Sequence, residues 1–190
     1  GEARLGVAAQ AVGIAEASLR EAQKYGEERE QFGQKIKTFP AVGAMLTDMR
    51  VATEASRALL YATSYFVDMK DGTEAKNLKA EGKKYSRAAD LFTPLVKYYA
   101  AEICSKVSYD SIQIHGGNGF MVDYPAERLY RDARITSIYE GTSQIQIEWA
   151  LPRIIRGDLD PIIQEWAEKA RTSSCDPELF KKAAQINDCL

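Results

Sequence analysis

The chain has 190 residues, 45% hydrophobic and 27% charged, and carries a net charge of −2. That length supports one domain with a substantial core, and the composition is ordinary for a soluble globular protein. With no basic excess to neutralise phosphates, the balance argues against a nucleic-acid partner, although local basic residues could still meet one phosphorylated cofactor. No apolar run approaches a membrane span and no signal-peptide pattern opens the sequence, so no membrane insertion is expected. Cys104, Cys175 and Cys189 are odd in number and lack CxxC spacing, which predicts reduced thiols in a reducing compartment. His115 is the sole histidine and the carboxylates form no ligand pattern, so no metal site is expected.

The first predicted helix covers roughly Glu2 to Glu30, with Leu5, Ala8, Ala9, Val12, Ile14, Ala15, Leu19 and Ala22 at helical spacing. After the Phe32-Gly33 break, Thr38-Phe39-Pro40 reads as a helix start with Pro in the first turn. That second helix is expected to run to about Met69 and to close at Asp71-Gly72. A third, long helix spans about Thr73 to Ile114, with Leu78, Phe92, Val96 and Val107 among its inward positions and a bend at Pro94. Gly116 to Gly119 ends it. Asp123 to Ser137 reads as a short helix plus irregular chain, and Gly141 to about Arg156 as a further helix. Gly157 to Pro161 is a breaker, followed by helical candidates at Ile162–Arg171 and Pro177–Ile186. No stretch alternates with period two for long enough to make a sheet, so the prediction is all-α, an antiparallel up-and-down helical bundle. Residues 1–156 are expected to form the bundle domain and 157–190 a helical C-terminal extension.

The run Ile138-Tyr139-Glu140-Gly141-Thr142-Ser143-Gln144-Ile145-Gln146 is the most informative. It puts Glu140 at a turn-to-helix junction, where Gly141 permits close backbone approach and Thr142 can cap the helix. Tyr139 could supply an apolar wall, and a carboxylate partly desolvated against it would be a stronger base. The plainer reading is a Glu in a first helical turn, favoured there by the macrodipole.

Four other segments precede that run in a fixed order: Arg29-Glu30-Gln31-Phe32-Gly33, Gln113 to Phe120 (QIHGGNGF), Tyr124 to Arg128 (YPAER) and Arg131-Asp132-Ala133. Together they resemble the C-terminal helical domain of the acyl-CoA dehydrogenase family, from about Arg4 to about Gln146. The resemblance implies a flavoprotein oxidoreductase of fatty acid metabolism, with FAD as cofactor and an acyl-CoA thioester as substrate. It implies that Glu140 is the catalytic base. The base takes the proton next to the thioester carbonyl, a hydride passes from the adjacent carbon to the flavin, and the trans-2-enoyl-CoA results. In the family the thioester oxygen is polarised by the base's own N–H and a ribityl hydroxyl. Such preorganised donors bring a very weak carbon acid within reach of a carboxylate.

The same resemblance assigns Arg29, Gln31 and Phe32 to the flavin's diphosphate and adenosine, where an Arg fork suits two phosphates. It assigns Gln113, Gly116 and Gly117 to the flavin of a neighbouring subunit, and Thr142 and Gln144 to the dinucleotide. Arg4, Tyr139 and Gly141 fall near the acyl-CoA. Read without the family, Arg29 is a helix-end cation, Gly116 to Gly119 a turn and Thr142 a cap. His115 is expected to be a helix C-cap or an interface residue with no catalytic role. The implied partners are a homo-oligomer, dimer or tetramer, and electron-transferring flavoprotein as acceptor. The implied compartment is a bacterial cytoplasm or the mitochondrial matrix.

Two departures qualify the match. Position 3 is Ala3, so the alternative base of some branches is absent, and Ile147-Glu148-Trp149 follows Gln146 where the family commonly has Arg. The family's N-terminal helical and central β-domains are also not in this sequence. The expectation is therefore a domain of a longer enzyme, inactive and weak in FAD binding when isolated. Two rival readings stay open, an acyl-CoA oxidase that passes electrons to oxygen and a non-catalytic helical oligomerisation module.

Overall fold

The computed structural model describes residues 2–172. Six helices account for most of them: α1 (Glu2–Glu28), α2 (Pro40–Ala75), α3 (Lys79–His115), α4 (Pro125–Ile135), α5 (Ser143–Ile155) and α6 (Asp160–Thr172). The all-α expectation holds, with one small exception. β1 (Glu30–Gln31) and β2 (Gln34–Lys35) pair antiparallel as a minimal hairpin, with Glu30 opposite Lys35 and Gln31 opposite Gln34. α1 consequently stops at Glu28, before Glu30 enters the hairpin.

Cross-links show how the long helices run. Arg57 on α2 reaches Glu16 on α1 at 2.8 Å, and Arg50 reaches Gln23 at 3.3 Å, so α1 and α2 are antiparallel. Phe66 stacks near Phe92 while Gly82 faces Thr73, so α2 and α3 are antiparallel as well. Ala15 meets Cys104 and Tyr25 meets His115, which makes α1 and α3 parallel neighbours. The main core lies among these three helices: Ala8, Val12, Leu19, Met49, Leu60, Val96 and Val107 are all buried there. The many Ala positions of α1 let it approach α3 closely, as the composition of its stripe suggested. A second cluster of Phe66, Leu91 and Phe92 is covered by Trp166 of α6.

The junction between α2 and α3 differs from the sequence reading. Asp71-Gly72 does not close α2, which continues to Ala75. The buried Thr73 packs against Gly82 of α3, and that tertiary contact carries the helix past Gly72. The stop falls at Asn77 instead, at φ 53, with Leu78 N–H donating to Thr73 O at 3.0 Å and Asn77 N–H to Glu74 O at 3.1 Å. This pair of bonds is a Schellman cap with Asn in the left-handed position. Leu78, expected inward, is 45% exposed at that cap. Pro94 lies inside α3 without ending it. The Ile162–Arg171 candidate falls within α6, and Pro177–Ile186 lies outside the described residues.

Candidate functional site

The chain between α4 and α5 is a tight double turn. Ile138 and Tyr139 donate their N–H groups to Ile135 O, the Thr136 hydroxyl donates to Ala133 O, and Ser143 N–H reaches back to Ser137 O at 3.1 Å. At its apex Glu140 has φ 55 and Gly141 φ 95. A side-chain-bearing residue there costs on the order of 1–3 kcal/mol and persists only where its surroundings over-determine it. Glycine at 141 answers a second need too, because a Cβ would lie 2.4 Å from Gln146 Nε2.

The surroundings supply that determination from three helices. From α5, buried Gln146 donates through Nε2 to the carbonyls of both Glu140 and Gly141, each at 3.1 Å. From α3, the Lys97 ammonium donates to Gly141 O at 2.6 Å, and Glu102 accepts from the Ser143 hydroxyl at 2.5 Å. From α1, Gln10 accepts from the Tyr139 hydroxyl, and Arg4 donates to Gln146 Oε1 at 3.4 Å. The Arg4 guanidinium also lies 5.0 Å from the Trp149 ring centroid, a cation–π contact. Thr142 caps α5 as expected, accepting from Ile145 N–H at 3.5 Å.

The turn's other side is open. Among the described residues neither the Glu140 N–H nor its carboxylate has a hydrogen-bond partner, so donor and base are both presented outward. The expected desolvating wall is not met within this chain, because Tyr139 leans on Gln10 and Glu140 stays exposed. Gln144 is exposed and bonds Glu148 at 3.2 Å. Burial pushes the Lys97 ammonium below its ordinary value, while the negative charges of Glu102 and Glu140 push it back up.

The remaining candidates sit at the other end of the bundle. Lys97 and His115 are about 27 Å apart along α3 at 1.5 Å per residue. Arg29 follows the end of α1, and its backbone is tied by Arg29 N–H to Tyr25 O and Ile36 N–H to Arg29 O. Its guanidinium is exposed and makes no ion pair among the described residues. Gln31 is exposed, its amide resting on Glu30 O. Phe32 and Gly33 form the hairpin turn at φ 53 and 78, and Phe32 is 93% exposed. Gln113, Gly116 and Gly117 are exposed where α3 ends, and a Cβ at either glycine would meet no atom. The structure thus gathers Arg4, Tyr139, Glu140, Gly141, Thr142 and Gln144 at one end, and separates them from Arg29, Gln31, Phe32, Gln113, Gly116 and Gly117.

His115 is not the C-cap of α3, which is Gly116. It is buried, stacked on Tyr25 at 4.3 Å, with Nδ1 against Ser111 O at 2.7 Å. Asn118 joins the same cluster by donating to the hydroxyls of Tyr25 and Tyr124. The glycine that packing demands in this loop is Gly119, where a Cβ would lie 2.6 Å from Ile112 O. Sequence reasoning also passed over Lys97 and Gln146. A signal for Lys97 existed, since it is the one charge in the run Leu91 to Ala101.

Comparison with known proteins identifies this architecture. A family profile described as "Acyl-CoA dehydrogenase, C-terminal domain" matches residues 1–155. The butyryl-CoA dehydrogenase of Megasphaera elsdenii superposes with a TM-score of 0.66 at 36% identity, over 80% of this chain and 36% of that one. The subunit CarC of the caffeyl-CoA reductase–Etf complex of Acetobacterium woodii is 42% identical over 143 residues, 75% of this chain and 34% of its own. A short-chain-specific acyl-CoA dehydrogenase of Clostridium acetobutylicum is 41% identical over the same shares. Fold and profile therefore define the helical C-terminal domain shared by acyl-CoA dehydrogenases. The chain belongs to the acyl-CoA dehydrogenase family, matching its C-terminal domain. It spans about a third of the length of the relatives it matches.

Proposed function

We propose that this chain serves as the C-terminal domain of an FAD-dependent acyl-CoA dehydrogenase and that Glu140 is its base. The observation that carries the reading is the Glu140 turn, strained and clamped from inside, with N–H and carboxylate both free on its outer side. A thioester oxygen set against that N–H would be polarised while the carboxylate takes the adjacent proton. The Cα–H bond breaks, the proton moves to Glu140, and the electron pair becomes the new double bond as the β-hydride departs. FAD, when bound, supplies the acceptor for that hydride. The donor set fits such a group: Arg29 offers an unpaired fork for a diphosphate, Gln31 and Gln113 offer amides, and Gly116 and Gly117 leave room for close approach. Phe32 offers an exposed ring, and Thr142 and Gln144 offer polar groups beside the base. Arg4, through Gln146, and Tyr139, through Gln10, hold the turn from its inner side so that its outer side, with Gly141, meets the acyl-CoA.

Several partner assignments belong to the same reading. Ile147, Leu151 and Ile155 leave an exposed apolar surface on α5, which supports self-association as dimer or tetramer. Electron-transferring flavoprotein as acceptor is supported by the likeness to a subunit of an Etf complex. The buried free thiol of Cys104 suits a reducing compartment, a bacterial cytoplasm or the mitochondrial matrix. No helix among the described residues is long and apolar enough to cross a membrane. The working division is a bundle over 1–156 followed by the extension 157–190. A second direction is supported by the 42% identity to a caffeyl-CoA reductase subunit. In it, protonated Glu140 would give its proton to the α-carbon of an enoyl-CoA while the β-carbon takes a hydride that the reduced cofactor, when bound, would supply.

The test is Glu140→Gln in the full-length flavoprotein, mixed rapidly with acyl-CoA without oxygen while flavin bleaching is followed. Gln keeps the shape and the N–H but accepts no proton, so flavin reduction should slow by about 10²- to 10⁴-fold. Flavin content and acyl-CoA affinity should hardly move. Reduction at the wild-type rate would remove Glu140 from the role of base.

A further inference from the structure

Lys97 is the largest side chain wholly enclosed in the bundle, at 0% exposure, and a lysine so placed is rare unless paired. Among the described residues no carboxylate stands within ion-pair distance of it, since Glu102 is engaged with the Ser143 hydroxyl. Its one hydrogen-bond partner is the Gly141 carbonyl at 2.6 Å, and that carbonyl already accepts from Gln146. A neutral amide would have satisfied a single backbone oxygen at far lower desolvation cost. The charge is therefore spent on one peptide group, the one that joins Gly141 to Thr142 immediately after the base.

We infer that Lys97 is a positioning residue for Glu140: its enclosed ammonium grips the Gly141 carbonyl and fixes the direction in which the Glu140 N–H and carboxylate leave the bundle. The inference rests on the reading of Glu140 as base. Two non-glycine-like constraints meet at this turn, the positive φ of Glu140 and the outward aim of its N–H. Gln146 holds both carbonyls from the α5 side, and Lys97 opposes it from α3, so the turn is gripped between two helices. Removing one jaw lets the peptide rotate while the apolar core among α1, α2 and α3 keeps its own contacts. The charged groups that face Lys97 are Glu102 on its own helix and Glu140 on the turn. Arg4 of α1 acts on the same clamp through Gln146.

The experiment compares Lys97→Met, Lys97→Gln and Glu140→Gln in the full-length flavoprotein. Lys97→Met should slow flavin reduction by about 10- to 100-fold, the scale of a misplaced reacting group. Flavin content should stay within about twofold of wild type, because the outward donors of the far end are untouched. Hydrogen exchange gives a readout apart from activity. The amides of Ser143 and Gln146 should exchange at least about tenfold faster in Lys97→Met, while those in the middle of α2 keep their wild-type rates. A lower melting temperature with an unchanged reduction rate, or uniform acceleration of exchange, would overturn the inference and leave a purely structural lysine. Should Lys97→Met not fold, Lys97→Gln, uncharged and one atom too short to span the same distance, carries the same comparison. An acyl-CoA-bound wild-type structure with Nζ beyond hydrogen-bond reach of Gly141 O would overturn it without any variant. If Glu140→Gln is fully active the base assignment itself fails, whereas an inactive Glu140→Gln beside a fully active Lys97→Met refutes only the positioning role.

Discussion

Two turns in this chain place a side-chain-bearing residue at positive φ directly before a glycine, Glu140-Gly141 and Phe32-Gly33, and they are held in opposite ways. Glu140-Gly141 is gripped from beneath by Lys97 and Gln146, with its neighbours tied to Glu102 and Gln10. Phe32-Gly33 is held by the short β1–β2 pairing and by an edge contact with Phe39, and its ring stands in solvent. The backbone angles suit the two-residue hairpin loop that a right-handed strand twist favours. One strained turn is thus fixed by the interior of its own domain. The other is fixed only locally and presents an apolar ring that nothing in the described chain covers. A base must be held rigidly before its substrate arrives, while a ring that binds a partner can be ordered by it.

The sharpest way to break this comparison is to put the same substitution in both turns. Gly141→Ala meets a left-handed φ and a Cβ 2.4 Å from Gln146 Nε2, so the clamp must open. A loss of at least about 2 kcal/mol is expected, together with loss of flavin reduction. Gly33→Ala meets the φ cost alone, with open space around the new methyl, and should cost about 1 kcal/mol. Urea titration of both variants measures this, and equal destabilisation would erase the distinction.

Next in size is Arg29→Ala. With no ion pair in the described chain to lose, it should change stability by less than about 0.5 kcal/mol. Flavin occupancy should fall while molecules that keep their flavin reduce it at the wild-type rate, the reverse of Glu140→Gln. Flavin-to-protein absorbance ratios and single-turnover traces separate the two.

The smallest effect concerns a group in neither turn. Burial between α1 and α3 pushes the Cys104 thiol up to about 12 from an ordinary value of 9.0, with the Ala15 backbone pulling slightly the other way. Below pH 9 the thiol is protonated in folded and unfolded chains alike and the full stability is present. Above pH 9 the unfolded chain loses its proton first, so stability falls progressively towards pH 12. Cys104 should therefore resist alkylation at pH 8 in the native protein and react on denaturation, as peptide mapping would show.

How far the sequence spoke for the structure can be judged from the same residues. Periodicity sufficed for α1, α2 and α3, because each buries a broad stripe against two neighbours. Thr142 announced its helix start by capping chemistry, and Pro40 by its fixed φ at the first helical position, where no side chain caps α2. The Asp71-Gly72 reading failed because a turn signal inside a helix can be outweighed by packing, here Thr73 on Gly82, and the true stop used Asn77. Glu140 was legible through its motif. Its clamp was not, since Lys97 and Glu102 are brought to it by α3 and Gln10 and Arg4 by α1, and no local pattern records that convergence. The cap reading of His115 failed for a related reason, as its stacking partner Tyr25 comes from a distant position on α1.

The separation of the two clusters has a genetic consequence. On the proposed reading, two clusters at ends marked by Lys97 and His115, about 27 Å apart along α3, would meet at one flavin most readily if two copies each lent one end. Every site would then be a joint product, and a lesion at Arg29 and a lesion at Glu140 would belong to different halves of it. Placed in separate copies, such lesions concentrate in one site of a mixed pair and leave the other whole, so two inactive alleles restore part of each other's function. Placed in the same copy, they spoil both.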